Sequence, residues 1–300
     1  LGKACYDYEG ISQMLPVLTE INECLLTLGW GNYQTDHEDA NGQYEINYDY
    51  SDALTTADRH TFIKMMISNL ALKHGCIATF MPKPFGDRTG SGAHLHFSVA
   101  NLEGKNVFAA KAEDPRGLGQ DKFAYHFIGG VIKHARALSL VTNPTVNCYK
   151  RLQVGSALTG NRSGFTWTPA SISYGDNNRT QMLRCPGPGR FEDRSFSAAN
   201  NPYLAFAAYL AAGMDGLENQ IDPGEPMLGR NLYDPQAKRG ELKILPQTLI
   251  EAVEEFEQDE VVKRALGPIA DELIKLKQDE WKEYHRQVSQ WEIDRYLTFF

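Results

Sequence analysis

Three hundred residues suffice for one large or two ordinary domains, and 23% charged with 42% hydrophobic residues is a globular balance. A net charge of −8 argues against a nucleic-acid partner, which would want a basic face. It leaves room for phosphate-bearing small molecules held by a metal or by a few local arginines. The five cysteines (Cys5, Cys24, Cys76, Cys148, Cys185) are odd in number, widely spaced and without a CxxC pair. That is the pattern of buried free thiols in a reducing compartment. The longest uncharged apolar run, Tyr203 to Met214, is too short to cross a bilayer. No signal peptide opens the chain, and it begins at Leu1, not at a methionine, which implies residues upstream. A cytoplasmic protein with no nucleic-acid or membrane partner is expected.

In chain order, Leu15, Leu18, Ile21, Leu25 and Leu28 recur at helical spacing over Ile11 to Leu28, and Gly29 stops the run. Gln34 to Tyr50 follows, centred on Asn41-Gly42, a dipeptide suited to a two-residue hairpin turn because both positions take positive φ. Its flanks carry strand-forming aromatic and β-branched residues. Closing the turn there sets Ala40 against Gln43, Asp39 against Tyr44 and Glu38 against Glu45. Like charges facing each other repel, and a divalent cation would offset them; a solvated hairpin with acidic edges is the plainer alternative.

Thr56 to His74 reads as an amphipathic helix with Phe62, Met65, Met66 and Leu70 on its core stripe and Gly75 as its cap. Cys76 to Phe80 reads as a short strand. The Pro- and Gly-bearing loop Met81 to Gly92 then delivers Ala93 to Val99, whose strict alternation predicts a half-buried strand. His94, His96 and Ser98 share one face; Leu95, Phe97 and Val99 share the other. Asn101 to Asp121 reads as a surface connection, Lys122 to Val141 as a helix whose Gly129-Gly130 allows a close neighbour, and Asn143 to Arg151 as a turn entering an extended piece. Gly155 to Arg162 is a loop, and Gly175 to Asn178 a turn. Arg190, Glu192 and Arg194 point one way if their segment is a strand. Such a row is either an ion-pair ladder or an anion-binding surface with a metal-binding carboxylate in it. Asn201-Pro202 opens the helix Tyr203 to Leu217. Leu249, Ile250, Val253 and Phe256 form a stripe beyond Pro246, and Ser289 to Glu292 is a capping box.

Glu38, Glu45, His94 and Glu192 are oxygen and imidazole donors arriving on separate strands, a mix that suits Mg²⁺ or Mn²⁺. Arg151, Arg179, Arg184 and Arg194 could hold carboxylate and phosphate. Together they describe metal-assisted phosphoryl transfer onto an acidic substrate.

The stretches HEDANGQYEI, ATFMPKPFGDRTGSGAHLHFS, NPTVNCYKRL, NNRTQMLR, RFEDR and NPYLAFAAYLAAGMDGL resemble the glutamine synthetase family almost from end to end, and within it most closely the γ-glutamylmethylamide synthetases (glutamate–methylamine ligases). The resemblance implies an α+β fold, the glutamine synthetase/guanido kinase-like catalytic domain, over residues 1–300. A curved antiparallel sheet would be flanked by helices, with the family's N-terminal β-grasp domain absent. ATP would enter one mouth of the site and glutamate the other. By that resemblance Glu38 and Glu45 hold the first metal, and His94 and Glu192 the second. His96, Ser98 and Arg190 meet ATP. Gly90, Arg151 and Arg194 meet glutamate, and Arg179 and Arg184 stabilise the transferred phosphoryl group. The partners it implies are glutamate, a small amine and copies of the chain in a ring, a dodecamer in the family.

Three departures stand out. The missing N-terminal part would bear two further metal-binding glutamates and a loop lent to the neighbouring subunit, so this length alone is expected to be inactive. Phe165-Thr-Trp167-Thr-Pro169 replaces the glutamate that the ammonia-using enzymes place near ammonium, and an aromatic face suits a methylated ammonium. Ser195-Phe-Ser197 stands where relatives carry an apolar–Pro–Asp run. Ordinary glutamine synthetase and a non-catalytic relative remain the alternatives.

Overall fold

In the computed structural model, residues 5–153, 167–233 and 242–300 are described. The loop expected at Gly155 to Arg162, and Phe165 ahead of Trp167, lie outside them.

The first expected helix is two: α1 (Tyr8–Gln13), capped by Asp7, and α2 (Leu15–Thr27), which restarts at Pro16 because proline fits the first turn. Next come β1 (Asn32–His37), β2 (Tyr44–Tyr48) and α3 (Ala53–Lys73), the last capped by Asp52. Val17, Ile21 and Leu25 of α2 meet Ile63 and Met66 of α3, and Trp30, Ile46 and Tyr48 close this first cluster. The expected stripe on α3 is only partly core: Met66 is buried, whereas Met65 and Phe62 are exposed, Phe62 lying edge-on to Trp30. Cys76 to Phe80 forms no strand.

A second, larger core lies under a four-stranded sheet. Its strands are β3 (Leu95–Phe97), β4 (Tyr174–Gly175), β5 (Leu183–Gly187) and β6 (Arg190–Asp193), in the order β3-β6-β5-β4. The sheet is mixed and not purely antiparallel, because β4 runs parallel to β5. Nor is it continuous with the two-stranded β1–β2 sheet. Phe97 and Phe191 point down onto Phe108, Phe127 and Tyr209, with ring centroids 4.9 to 6.5 Å apart. Phe108 is fully buried, so the segment Asn101 to Asp121 is anchored in the core and is not a mere surface connection.

Helices α4 (Lys122–Thr142), α5 (Val146–Arg151), α6 (Pro202–Glu218) and α7 (Leu249–Gln258) pack beneath, followed by α8 (Glu260–Leu266), α9 (Ile269–His285) and α10 (Gln290–Tyr296). Asn143 to Arg151 is therefore a turn into a helix, not into an extended piece. The capping box at Ser289 forms as expected. Of the cysteines only Cys148 and Cys185 are buried; Cys5 is exposed. Among the described residues no helix is long and apolar enough to cross a membrane.

Gly130 explains why α4 and α6 sit so close: a Cβ there would lie 2.0 Å from the Ala212 carbonyl and 2.8 Å from Gly216 Cα. Gly130→Ala should cost about 3 kcal/mol through overpacking, read as a lower urea midpoint with an unchanged slope.

Candidate active site

The hairpin carries the first pair of acids, in a register two residues from the expected one. Glu45 faces Asp36 and Tyr44 faces His37. Beyond them the Glu38 N–H donates to the Gln43 carbonyl at 2.9 Å, and Gln43 N–H to Ala40 at 2.9 Å. Only Gly42 takes positive φ, at 75°, so Asn41-Gly42 is not the two-residue turn with both positions left-handed. The Gln43 side chain holds this longer loop, accepting from Ala40 N–H at 3.1 Å and donating to the Gly90 carbonyl at 3.0 Å. Glu38 and Glu45 lie diagonally on one sheet face, near enough to repel. Burial, then the charges of Glu45 and Asp39, push the Glu38 carboxyl up to about 7.

The second set lies on the four-stranded sheet. Alternation sends Phe191 and Asp193 into the core and Glu192 to the opposite face. There Glu192, 2% exposed, takes Arg194 Nη1 on one oxygen and Arg184 Nη1 on the other, both at 2.7 Å. Its neighbours across β3 are His94, with Nδ1 at 3.3 Å, and His96, with Nε2 at 3.9 Å. Burial favours the neutral carboxyl, but the charges of Arg194, His96 and Arg184 outweigh it and hold Glu192 below its ordinary value. Burial, then Arg194 and Arg151, keep His94 well below the usual imidazole range, hence neutral. Arg190 is exposed and takes no part in the clasp on Glu192; His96 and Ser98 are also exposed.

Arg179 connects the two sets. It feels the charges of both Glu38 and Glu192, and its Nη1 donates to Tyr6 Oη at 2.9 Å. Tyr6 holds a left-handed φ of 55°, strained for a bulky residue. Arg184 is oriented by Asn177 Oδ1, 2.8 Å from Nε. Arg194 also donates to the Arg179 carbonyl at 3.1 Å and the Trp167 carbonyl at 3.4 Å. The Trp167 ring lies 6.2 Å from that of Tyr233. Arg151, 3% exposed, grips the carbonyls of Ser195 and Arg194 at 3.0 Å each. Gly90 lies against it: a Cβ there would meet the Pro82 carbonyl at 2.5 Å and Arg151 Cγ at 3.2 Å.

Among the described residues no three His, Cys, Asp or Glu side chains converge as a metal site. The four candidate donors stand as two pairs, Glu38 with Glu45 and His94 with Glu192. The donor types still fit: two repelling carboxylates on one face, and a neutral imidazole beside a carboxylate, are what an oxygen-seeking divalent ion relieves and joins. Each pair would need further ligands. Sequence reasoning missed Tyr6, Gln43, Asn177 and Asp193, which act by holding other side chains or the chain itself.

The sequence pattern of the glutamine synthetase catalytic domain matches residues 2–296, and the chain belongs to the glutamine synthetase family. Among its relatives is the glutamate–methylamine ligase of Methyloversatilis universalis, 50% identical over 100% of this chain and 67% of that protein. The glutamine synthetase of Rhizobium meliloti is 47% identical over 97% of this chain and 65% of its own. The solved structure of a GmaS/ADP complex superposes with a TM-score of 0.90 at 46% identity, covering 99% of this chain and 67% of that one. The chain thus spans about two thirds of the length of the relatives it matches.

Proposed function

We propose that the full-length protein is an ATP-dependent ligase that joins the γ-carboxylate of glutamate to an amine, with methylamine as the acceptor. A carboxylate oxygen of glutamate takes the terminal phosphoryl group of ATP, and ADP leaves. The amine nitrogen then attacks the acyl carbon of the γ-glutamyl phosphate. Phosphate departs, the nitrogen loses a proton, and an amide remains.

The observation that carries this reading is Arg179, a guanidinium that feels the charges of both Glu38 on the hairpin and Glu192 on the sheet. Positive charge there meets the transferring phosphoryl oxygens, with Arg184 beside it. Arg151, Arg194 and Gly90 hold glutamate; exposed His96, Ser98 and Arg190 meet ATP. Glu38 with Glu45, and His94 with Glu192, would each hold a Mg²⁺ or Mn²⁺ ion. Such ions neutralise phosphate charge. Residues 1–300 form the catalytic part of a longer chain that works in the cytoplasm as a ring of copies.

Trp167 selects the amine: its indole face attracts a methylated ammonium by cation–π contact, worth about 2 kcal/mol when desolvated. Trp167→Ala should lower kcat/KM for methylamine about 30-fold, while that for ammonium changes little. The test is steady-state rates with both amines side by side. A parent enzyme preferring ammonium ten-fold or more would make it an ordinary glutamine synthetase.

A further inference from the structure

We infer that Asp193 and Ser195 are positioning residues that set the guanidinium of Arg151, through a backbone kink held on a buried carboxylate. The inference rests on the reading of Arg151 as a holder of glutamate. Asp193 is 2% exposed and points from β6 into the core, opposite in direction to Glu192. Its Oδ1 accepts the Ser195 N–H at 2.8 Å and the Ser195 hydroxyl at 2.6 Å, and its Oδ2 accepts the Tyr209 hydroxyl at 3.0 Å.

A carboxylate that binds the backbone two residues on bends the chain locally. Here it kinks the chain at the end of β6, before antiparallel pairing resumes with Ser197 opposite Gly92, and brings two successive carbonyls, of Arg194 and Ser195, onto one side chain. Those are the two carbonyls that receive Arg151 Nη2 and Nη1. Among the described residues Arg151 has no carboxylate at ion-pair distance, so its placement depends on these oxygens. A further wall is set by Gly92, where a Cβ would come within 2.7 Å of Arg151 Nη2.

This gives Ser195 a physical account. An apolar residue in place of Ser195 would keep the N–H but lose the hydroxyl that Asp193 accepts at 2.6 Å. Ser195 supplies both an N–H and a hydroxyl to the same oxygen, which satisfies a carboxylate that would be costly to bury alone. Ser197 serves a separate purpose: its hydroxyl oxygen accepts from Ala199 N–H at 3.1 Å and lies 3.3 Å from Cys148 Sγ.

The test compares Ser195→Ala, Asp193→Asn, Ser195→Thr, Tyr209→Phe and Arg151→Lys in the full-length protein. KM is measured separately for glutamate and ATP, with thermal midpoints alongside. Ser195→Ala and Asp193→Asn should raise KM for glutamate about five- to ten-fold, the scale of one ordinary hydrogen bond, and leave KM for ATP within two-fold. Ser195→Thr, which keeps both donors, should restore it. Tyr209→Phe, acting on the other oxygen, should lower the midpoint without that rise in KM.

A fall in midpoint with an unchanged KM for glutamate, or an equal rise in both KM values, overturns the inference. So does a Tyr209→Phe enzyme that behaves like Ser195→Ala. If Asp193→Asn fails to fold, Ser195→Ala against Ser195→Thr decides alone. An Arg151→Lys enzyme with an unchanged KM for glutamate overturns instead the assignment of Arg151, and the inference with it.

Discussion

Glu192→Gln is expected to lower kcat about a thousand-fold, at the upper end of the loss of one preorganised electrostatic group. Glutamine keeps the volume but presents an amide N–H₂ toward Arg184 or Arg194, each of which donates to Glu192 at 2.7 Å. Buried Arg194 and partly buried Arg184 would then repel each other without the negative charge that holds them together. Breaking a buried ion pair on one side costs roughly 3 kcal/mol or more, so the thermal midpoint should fall as well. Glu192→Asp separates the two effects: it retains the charge but cannot reach both arginines. Steady-state kcat and a melting curve for each variant are the measurements. A Glu192→Gln enzyme within ten-fold of the parent would mean that the site is not organised around this carboxylate.

The second large effect lies far from the chemistry, among α4, α6 and α8. His134, 5% exposed, places Nδ1 2.5 Å from Asp259 and Nε2 2.9 Å from Asp215, which also takes Lys133 Nζ at 2.8 Å. Burial disfavours the imidazolium, but hydrogen bonds to Asp259 and Asp215 prevail and raise its affinity for protons. Both aspartates are held below their ordinary value, burial being outweighed by Lys133 and His134 at Asp215 and by His134 at Asp259.

The signs define a window. The His134 contribution is complete below the ordinary imidazole value of 6.5 and is lost as pH rises through its higher folded value. The aspartate contribution is present above 3.8 and is lost as pH falls through their lower folded values. His134→Ala should therefore cost about 3 kcal/mol between those limits, with the gap from the parent narrowing at alkaline pH. Urea unfolding of both proteins across pH checks it; a gap that does not vary with pH would mean a neutral histidine.

What was legible in the sequence was whatever depends on near neighbours. Caps such as Asn201 and Ser289, and the alternation that separates His94 and His96 from Leu95 and Phe97, act within a few residues. The hairpin register failed for a specific reason: the loop is stabilised by Gln43 reaching Gly90, 47 positions away. No turn preference contains that partner. In the same way Asn143 to Arg151 gave no helical period, since α5 is only 6 residues long. The parallel pairing of β4 with β5 joins strands of 2 and 5 residues, too short to register as a pattern. The identities of the chemical groups could be read in advance. Their mutual arrangement could be read only in part: of the expected row Arg190, Glu192 and Arg194, Arg194 does pair with Glu192, but Arg184 and not Arg190 takes the second oxygen. The motif D-x-S at Asp193 was visible, but its beneficiary, Arg151, lies 44 positions earlier from Ser195.

The hairpin bearing Glu38 and Glu45 rests on its own apolar cluster with α2 and α3, while Glu192 and His94 belong to the sheet above the larger core. The proposed site is thus a seam between two separately supported pieces. Whatever substrate spans that seam also stitches it, so occupancy and cohesion are thermodynamically linked. A saturating occupant at a hundred times its dissociation constant adds about 2.7 kcal/mol to the joined state, and the hairpin side of the seam is where such tightening would be felt.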